Sequence, residues 1–154
     1  MSRWEQGQLI FYAFDPVQGQ GKEFTRTKLE MLAYLCWTIS PNGGSIAVGS
    51  TDRLREQVRI LDARKGFENN IQLPQGWSIY DLSWAADGQA LFAVGQSPLG
   101  EYIIARIELD GKTRILLNRG RNNSMIVLRS SPDGHWLAFN QWAAGSNAWL
   151  LQNF

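Results

Sequence analysis

One segment recurs three times along this chain of 154 residues, at an almost constant interval. Each copy consists of a β-rich run, a turn with Asn-Gly or Asp-Gly, and a second β-rich run. The turn residues Asn42, Asp87 and Asp133 are 45 and 46 positions apart. Asn-Gly and Asp-Gly tolerate the positive φ that tight hairpin turns require. A period of this length is typical of a repeat protein built from stacked supersecondary units.

Two further β-rich runs follow each of the first two hairpins, so the repeating unit is predicted to be a four-stranded antiparallel sheet. Strands are expected at 34–39, 45–49, 58–61 and 70–73, then at 79–84, 90–94, 102–109 and 112–117, and finally at 125–130, 136–140 and 148–152. The last unit is therefore expected to lack its outer strand. An unpaired strand edge can pair with the edge of another chain. We therefore expect the chain either to aggregate or to form a dimer, a homo-oligomer held through its open blade edges.

The beginning of the chain is predicted to be an incomplete copy of the same unit. Trp4–Phe11 is similar to Trp84–Phe92, although it is one residue shorter and lacks the aspartate. This unit is expected to have lost its innermost strand, leaving strands at 9–14 and 23–28. Residues 28–34 are too few for an isolated helix and are expected to connect two units. The sequence thus predicts an all-β chain of about three and a half units, at 1–31, 32–76, 77–122 and 123–154.

Four-stranded sheets repeated in this way form the blades of a β-propeller. Residues 131–139, Ser-Pro-Asp-Gly-His-Trp-Leu-Ala-Phe, closely resemble the repeat of the WD40-like, TolB-type propellers of bacteria, and 40–43 match its turn. The middle copy departs by having Ala85-Ala86 in place of Ser-Pro. Residues 145–154 are similar to the C-terminal tails of propellers in bacterial multidomain regulators, where a kinase or winged-helix domain lies upstream. The resemblance implies a partial β-propeller, the C-terminal part of such a domain.

Charge and hydropathy bear on the class of partner. The net charge is +1 and the basic residues are spread along the chain, which argues against nucleic acid because phosphate recognition needs a clustered positive face. No apolar run approaches the roughly 18 residues of a membrane helix, and the first residues do not resemble a signal peptide. We therefore expect no membrane contact, and a cytoplasmic location if the chain is complete as written.

Residues capable of catalysis or metal binding are scarce. His135 is the only histidine and Cys36 the only cysteine, so no metal site and no cofactor are expected. We expect Cys36 to be a small buried hydrophobe and His135 to be exposed. Gly95–Gly100 has its second glycine one place too late for a nucleophile elbow, and the aspartates lie in turns that favour them. The sequence therefore predicts no catalytic residues and a chain that is not an enzyme.

Binding residues are predicted on one face, where the loops between units meet the loops between second and third strands. That face collects the loops at 74–77, 118–124, 51–56 and 141–142. Its candidate residues belong to types enriched in interface hot spots, and they are Trp77, Arg119, Arg121, Asn122 and Trp142. The alternative is that both tryptophans pack beneath their loops, as most large apolar side chains do.

Three functions remain open at this point. The first is a non-catalytic interaction or sensor module that offers its loops to a protein or small-molecule ligand. The second is the propeller accessory domain of a peptidase or other hydrolase. The third is a structural fragment that closes its ring by oligomerising.

Overall fold

A computed structural model describes residues 2–19, 21–28, 35–52, 55–62, 67–142 and 146–152. In these ranges the chain forms fourteen strands and no helix, which confirms the all-β prediction. The strands are β1 (Ser2–Glu5), β2 (Gln8–Tyr12), β3 (Glu23–Lys28), β4 (Leu35–Ile39), β5 (Ser45–Asp52), β6 (Arg55–Asp62), β7 (Phe67–Gln72), β8 (Ser78–Trp84), β9 (Ala90–Gln96), β10 (Tyr102–Glu108), β11 (Thr113–Asn118), β12 (Leu128–Ser130), β13 (Trp136–Trp142) and β14 (Ser146–Gln152).

The strands form four antiparallel sheets that follow one another along the chain. Sheet I contains β1–β3, sheet II β4–β7, sheet III β8–β11 and sheet IV β12–β14, and within each sheet neighbouring strands are consecutive in sequence. Strand exchange between sheets does not occur in the described residues. Each sheet is thus a local meander, as the repeat predicts.

Three apolar clusters join the sheets face to face. Sheets I and II share Leu9 and Phe11 with Ile46 and Val48. Between sheets II and III the cluster is Cys36, Ala47, Val58, Ile71, Ile79, Leu82, Trp84, Leu91, Ala93 and Ile107. Between sheets III and IV it is Ala85, Ala90, Phe92, Val94, Ile104, Met125, Leu128, Leu137 and Phe139. The core is therefore a series of sheet-on-sheet interfaces, with no single centre.

The hairpin turns of sheets II, III and IV share one construction. In each, a glycine takes a positive φ: 68° at Gly43, 69° at Gly88 and 75° at Gly134. The Asn or Asp that precedes this glycine accepts a hydrogen bond from the backbone N–H of the residue that follows the glycine. In the turn of sheet IV, for example, Asp133 accepts from the His135 N–H at 3.0 Å. Both features follow from the Asn-Gly and Asp-Gly pairs, because a short carboxyl or amide reaches its own backbone.

We expect Gly88→Val and Gly134→Val each to lower the free energy of unfolding by more than about 1 kcal/mol, because a β-branched residue is strained at positive φ. Gly134 also has the Ala86 methyl 3.3 Å from the position of an added Cβ. The matched control is His135→Lys, an exposed neighbour whose replacement should change stability by less than about 0.5 kcal/mol. Chemical denaturation measures all three, and equal midpoints would contradict this account of the turn.

Sheet I differs from its prediction. The sequence indicated two strands, whereas the structure adds β1, which pairs with β2 in the register Trp4↔Leu9. The connecting turn has only Gln6 and Gly7, with φ of 48° and 76°. Two consecutive positive φ values are the pattern of a two-residue type I′ hairpin. β1 was missed because a short, mostly polar strand at a sheet edge has little apolar alternation. The predicted connection at 28–34 falls almost wholly outside the described residues.

β12 is shorter than predicted, because a side chain replaces part of its ladder. The Asn140 Oδ1 atom accepts the backbone N–H groups of Ile126 at 3.1 Å and Val127 at 2.8 Å. The chain pairs again with β13 at the isolated bridge between Ser124 and Trp142. The apolar run 125–128 therefore forms regular strand only at its end.

Candidate functional site

The predicted binding face is a continuous row of loops. The loop after β7 contacts the β9–β10 loop, since an added Cβ at Gly76 would lie 3.0 Å from the Pro98 side chain. The β9–β10 loop in turn contacts the loop after β11, where Asn118 Nδ2 donates to Glu101 Oε2 at 3.2 Å. We call residues 73–77, 97–101, 118–124 and 141–142 the loop face.

Backbone and amide hydrogen bonds fix the end of the loop face next to sheet IV. Arg119 and Tyr102 are joined by a backbone hydrogen bond of 2.9 Å. Asn123 donates through Nδ2 to the Arg119 carbonyl at 2.8 Å and accepts from Gln141 Nε2 at 2.8 Å. The Trp142 N–H donates to the Ser124 carbonyl at 2.8 Å. The loop 119–124 is thus tied to both sheets III and IV.

The structure separates the predicted site residues into two groups. Arg119, Arg121, Asn122 and Trp142 belong to the fixed end, where Arg121 and Asn122 are exposed and Arg119 is half-buried. Trp142 is 57% exposed, so it does not pack beneath its loop. Trp77 is half-buried, and the β9–β10 loop lies between its loop and this group. For the loop at 51–56, part of the chain and the side chains lie outside the described residues.

We expect iodide to quench tryptophan fluorescence less in Trp142→Phe than in the parent protein, because an exposed indole has been removed. Trp77→Phe, which removes a half-buried ring, is the matched control and should change quenching less. A Stern–Volmer comparison of the three proteins gives the measurement. Equal losses in the two variants would show that the two rings are equally accessible.

On the opposite face, the described residues line two cavities that were not predicted from the sequence. One of about 450 Å³ is lined by the hairpin turns of sheets II and III, including Asn42 and Asp87. Another of about 600 Å³ lies between β7 and the β10–β11 turn, beside Asp110 and Lys112. Lys112 pairs with Asp110 at 2.7 Å and holds the pKa of that carboxyl below its usual value. The carboxylates and amides of these turns accept hydrogen bonds from backbone N–H groups of their own turns. Their role in stabilising the turns accounts for their presence without a ligand.

Cys36 is buried, as the sequence predicted. Burial raises the pKa of its thiol to about 12, and the negative charge of Asp81 adds to the effect. The raised pKa means that this thiol is neutral in the folded protein at physiological pH. Thiolates, not thiols, are the nucleophilic form of cysteine.

We therefore expect Cys36 to resist a disulfide-exchange reagent at pH 8 in the native protein and to react at once in denaturant. Since the folded pKa lies above the unfolded value, the contribution of this thiol to stability is complete below about pH 9 and is lost as the pH rises through about 12. Rapid labelling of the native protein at pH 8 would contradict the burial.

Metal ligands and membrane-spanning helices are two further features of the described part of the chain. There, no group of three or more His, Cys, Asp or Glu side chains is placed to hold a metal ion. The same residues contain no helix with the length and apolar character needed to cross a bilayer.

Comparisons with known proteins identify the fold. The sequence matches no protein-family model, and no curated protein matches it significantly. TolB from Acinetobacter baumannii matches 94% of this chain with a TM-score of 0.70 and 18% identity. A chain of the nidogen/laminin complex matches 95% with a TM-score of 0.75 and 12% identity. A prolyl endopeptidase matches 99% with a TM-score of 0.63 and 12% identity.

This chain spans only 35%, 54% and 27% of the lengths of those three chains. At such low identity the likeness establishes the fold alone. The chain has the TolB-like β-propeller fold, and its four sheets correspond to part of a propeller, as the repeat and the resemblance predicted.

Proposed function

We propose that this chain is a non-catalytic propeller module that binds a protein partner through the sheet IV end of its loop face. The observation that carries the proposal is the exposure of Trp142 beside a loop of arginines and asparagines held in place by hydrogen bonds. Tryptophan and arginine are the side chains most enriched among interface hot spots. Loops on a rigid scaffold are also where binding residues concentrate.

The rigidity of the loop supports the same role. Asn123 bridges Arg119 and Gln141, so the exposed side chains of Arg121 and Asn122 are presented from an ordered backbone. A preordered loop loses less conformational entropy when it binds.

Site-specific photo-crosslinking tests the proposal in the cells that produce the protein. A photoreactive residue in place of Asn122 is expected to give one discrete adduct with another protein. The same residue in place of Gln89, exposed on the opposite face, is the matched control and should give none. Arg121→Ala should abolish the Asn122 adduct. Equal adducts from both faces, or none from Asn122, would refute the proposal.

A second candidate role is that of an accessory domain beside a peptidase or other hydrolase. The match of 99% of this chain to a prolyl endopeptidase structure favours it, although this chain spans only 27% of that one. The neighbouring coding sequence distinguishes the two roles. A hydrolase domain there would support the accessory role, whereas a kinase or winged-helix domain would support a sensor module.

A further inference from the structure

The β9–β10 turn on the loop face carries an exposed leucine at its tip. The Gly100 N–H donates to the Ser97 carbonyl at 2.8 Å, which makes Pro98 and Leu99 the central residues of a β-turn. Leu99 is 63% exposed. Turns commonly have Gly, Asn, Asp or Ser at such positions, because these residues supply a hydrogen bond or tolerate a positive φ. Leucine does neither, so the turn itself does not account for Leu99.

Hydrogen bonds and packing order this turn. The Ser97 N–H donates to the Glu101 carbonyl at 2.9 Å, and the Ser97 hydroxyl oxygen accepts the Glu101 N–H at 3.3 Å. The Pro98 side chain lies against Gly76 of the neighbouring loop, 3.0 Å from the position of an added Cβ. Leu99 is therefore presented from an ordered backbone, and a partner that binds it costs the loop little conformational entropy.

The exposure of Leu99 does not arise at an end of the stack. Sheet III is covered by sheet II on one face and by sheet IV on the other, so both sheets that adjoin it are present. The strands on either side of the turn contribute Leu91 and Ile107 to one interface and Phe92 and Val94 to the other. Leu99 lies outside both interfaces, so sheet packing leaves its side chain in water.

Arg121 lies near this turn. The Tyr102 N–H donates to the Gly120 carbonyl at 2.9 Å, and Arg121 directly follows Gly120. Leu99 is three residues before Tyr102, so at most about 11 Å separates their Cα atoms. A protein interface of standard size buries about 800 Å² on each partner, which is enough to include both side chains.

The charge of Arg121 has no counterpart in the described part of the chain. Arg121 is exposed, and none of the ion pairs between described residues includes it. The carboxylate of Glu101, on the same loop face, accepts from Asn118 Nδ2 at 3.2 Å. The sheet III part of the loop face therefore combines an apolar tip with a guanidinium that no carboxylate of this part of the chain binds.

From these features we infer that the protein partner of the loop face binds Leu99 in an apolar pocket and places a carboxylate on Arg121. The inference rests on the proposed function and names the chemistry of its partner. A carboxylate matches a guanidinium because it can accept two parallel hydrogen bonds. Burial of the exposed leucine removes apolar surface from water and adds to the free energy of binding. Leu99 is thus an anchor that the sequence did not indicate.

A lipid surface is the other class of partner that takes exposed apolar turns. Binding at a membrane surface depends on buried apolar area and on attraction between clustered basic residues and anionic lipids. The β9–β10 turn supplies a single leucine together with Glu101, whose carboxylate anionic lipids repel. A protein is therefore the favoured partner.

Val17 offers a matched control at the tip of the corresponding loop of sheet I. That loop joins the second and third strands of its sheet, as the β9–β10 loop does in sheet III. Val17 is 91% exposed, and its N–H donates to Asp15 Oδ1 at 2.8 Å. Sheet II lies between sheets I and III, so Val17 is outside the proposed contact.

The Asn122 adduct formed in the cells that produce the protein provides the measurement. Leu99→Ser should lower the yield of this adduct at least about tenfold, because the apolar anchor is lost. Val17→Ser should leave the yield unchanged. Arg121→Glu should abolish the adduct, and Lys in place of one acidic residue of the cross-linked partner should restore it. Cooperative melting of each variant establishes that it is folded.

If the parent protein gives the adduct and Leu99→Ser gives it undiminished, this inference is overturned while the proposed function stands. Equal losses in Leu99→Ser and Val17→Ser would overturn it as well, and so would the failure of every Lys replacement to restore the Arg121→Glu adduct. Sedimentation of the parent protein, but not of Leu99→Ser, with vesicles of phosphatidylcholine and phosphatidylserine would assign the turn to a lipid surface instead. No adduct from the parent protein would refute both proposals.

Discussion

Replacing Gly95 with alanine is expected to lower the free energy of unfolding by about 3 kcal/mol, the upper end of the range for overpacking a core. An added Cβ would lie 1.8 Å from the Ser78 carbonyl oxygen and 2.9 Å from its carbon. A side-chain rotation cannot relieve this overlap, because the position of the Cβ is fixed by the backbone of residue 95 and the overlapping atoms belong to the backbone of Ser78. The β8–β9 register shifts beside this contact, between Ile79 and Asp81, so the close approach belongs to a β-bulge.

Gly100→Ala is the control for Gly95→Ala. Gly100 has a φ of 75° and no atom within 4 Å of an added Cβ, so its replacement carries the backbone penalty of about 1–2 kcal/mol without a clash. Urea denaturation of the two variants separates steric overlap from conformational strain. If Gly95→Ala is no less stable than Gly100→Ala, the backbone at the bulge can shift at little cost, and the short distance between residue 95 and Ser78 does not limit stability.

Asp81→Ala is expected to lower the free energy of unfolding by about 2 kcal/mol and to loosen sheet IV from sheet III. One carboxylate oxygen of Asp81 accepts the Leu128 N–H at 3.0 Å and pairs with Arg129. The Asp81 side chain is only 13% exposed, so its removal leaves the Leu128 N–H without its acceptor in a poorly hydrated place. An unsatisfied buried donor costs about 1–3 kcal/mol. Arg129 adds little, since an exposed guanidinium is well screened.

Ser83→Ala provides the comparison, because the Ser83 hydroxyl accepts the Ser130 N–H at 2.9 Å between the same two sheets. Loss of this neutral acceptor should cost about 1 kcal/mol, and Asp81→Asn, which keeps an oxygen for Leu128, should fall between the two. Hydrogen exchange should show faster exchange at Leu128 in Asp81→Ala and at Ser130 in Ser83→Ala. Unchanged exchange at both amides would show that these bonds do not hold the sheets together.

The sequence predicted the sheets well because their information is local. A hairpin depends on a turn pair and on apolar residues within a few positions, and Asn42-Gly43, Asp87-Gly88 and Asp133-Gly134 supply both. The strand prediction was less accurate where a polar side chain takes the place of a backbone partner in the hydrogen bonds between strands. Asn140 shortens β12 from fourteen residues away, and no pattern within 125–130 indicates that contact.

Only part of the candidate site could be predicted from the sequence. Its loops were placed on one face by counting strands, but the exposure of a side chain depends on what the neighbouring sheets cover. Trp77 and Trp142 have similar loop contexts, yet Trp142 is exposed whereas Trp77 is half-buried. The sequence also did not predict that Asn123 links two sheets, because its partners Arg119 and Gln141 follow or belong to strands of different sheets.

By itself the sequence determined the repeat, the all-β class and the positive φ of the turn glycines, since each depends on residues close together in the chain. The tertiary structure alone decided which faces are covered. Phe92 and Ala138 occupy equivalent positions of their repeats, but Phe92 is buried beneath sheet IV while Ala138 is exposed. Burial depends on which sheet packs over a residue, and that is a property of the assembled stack that no single repeat contains.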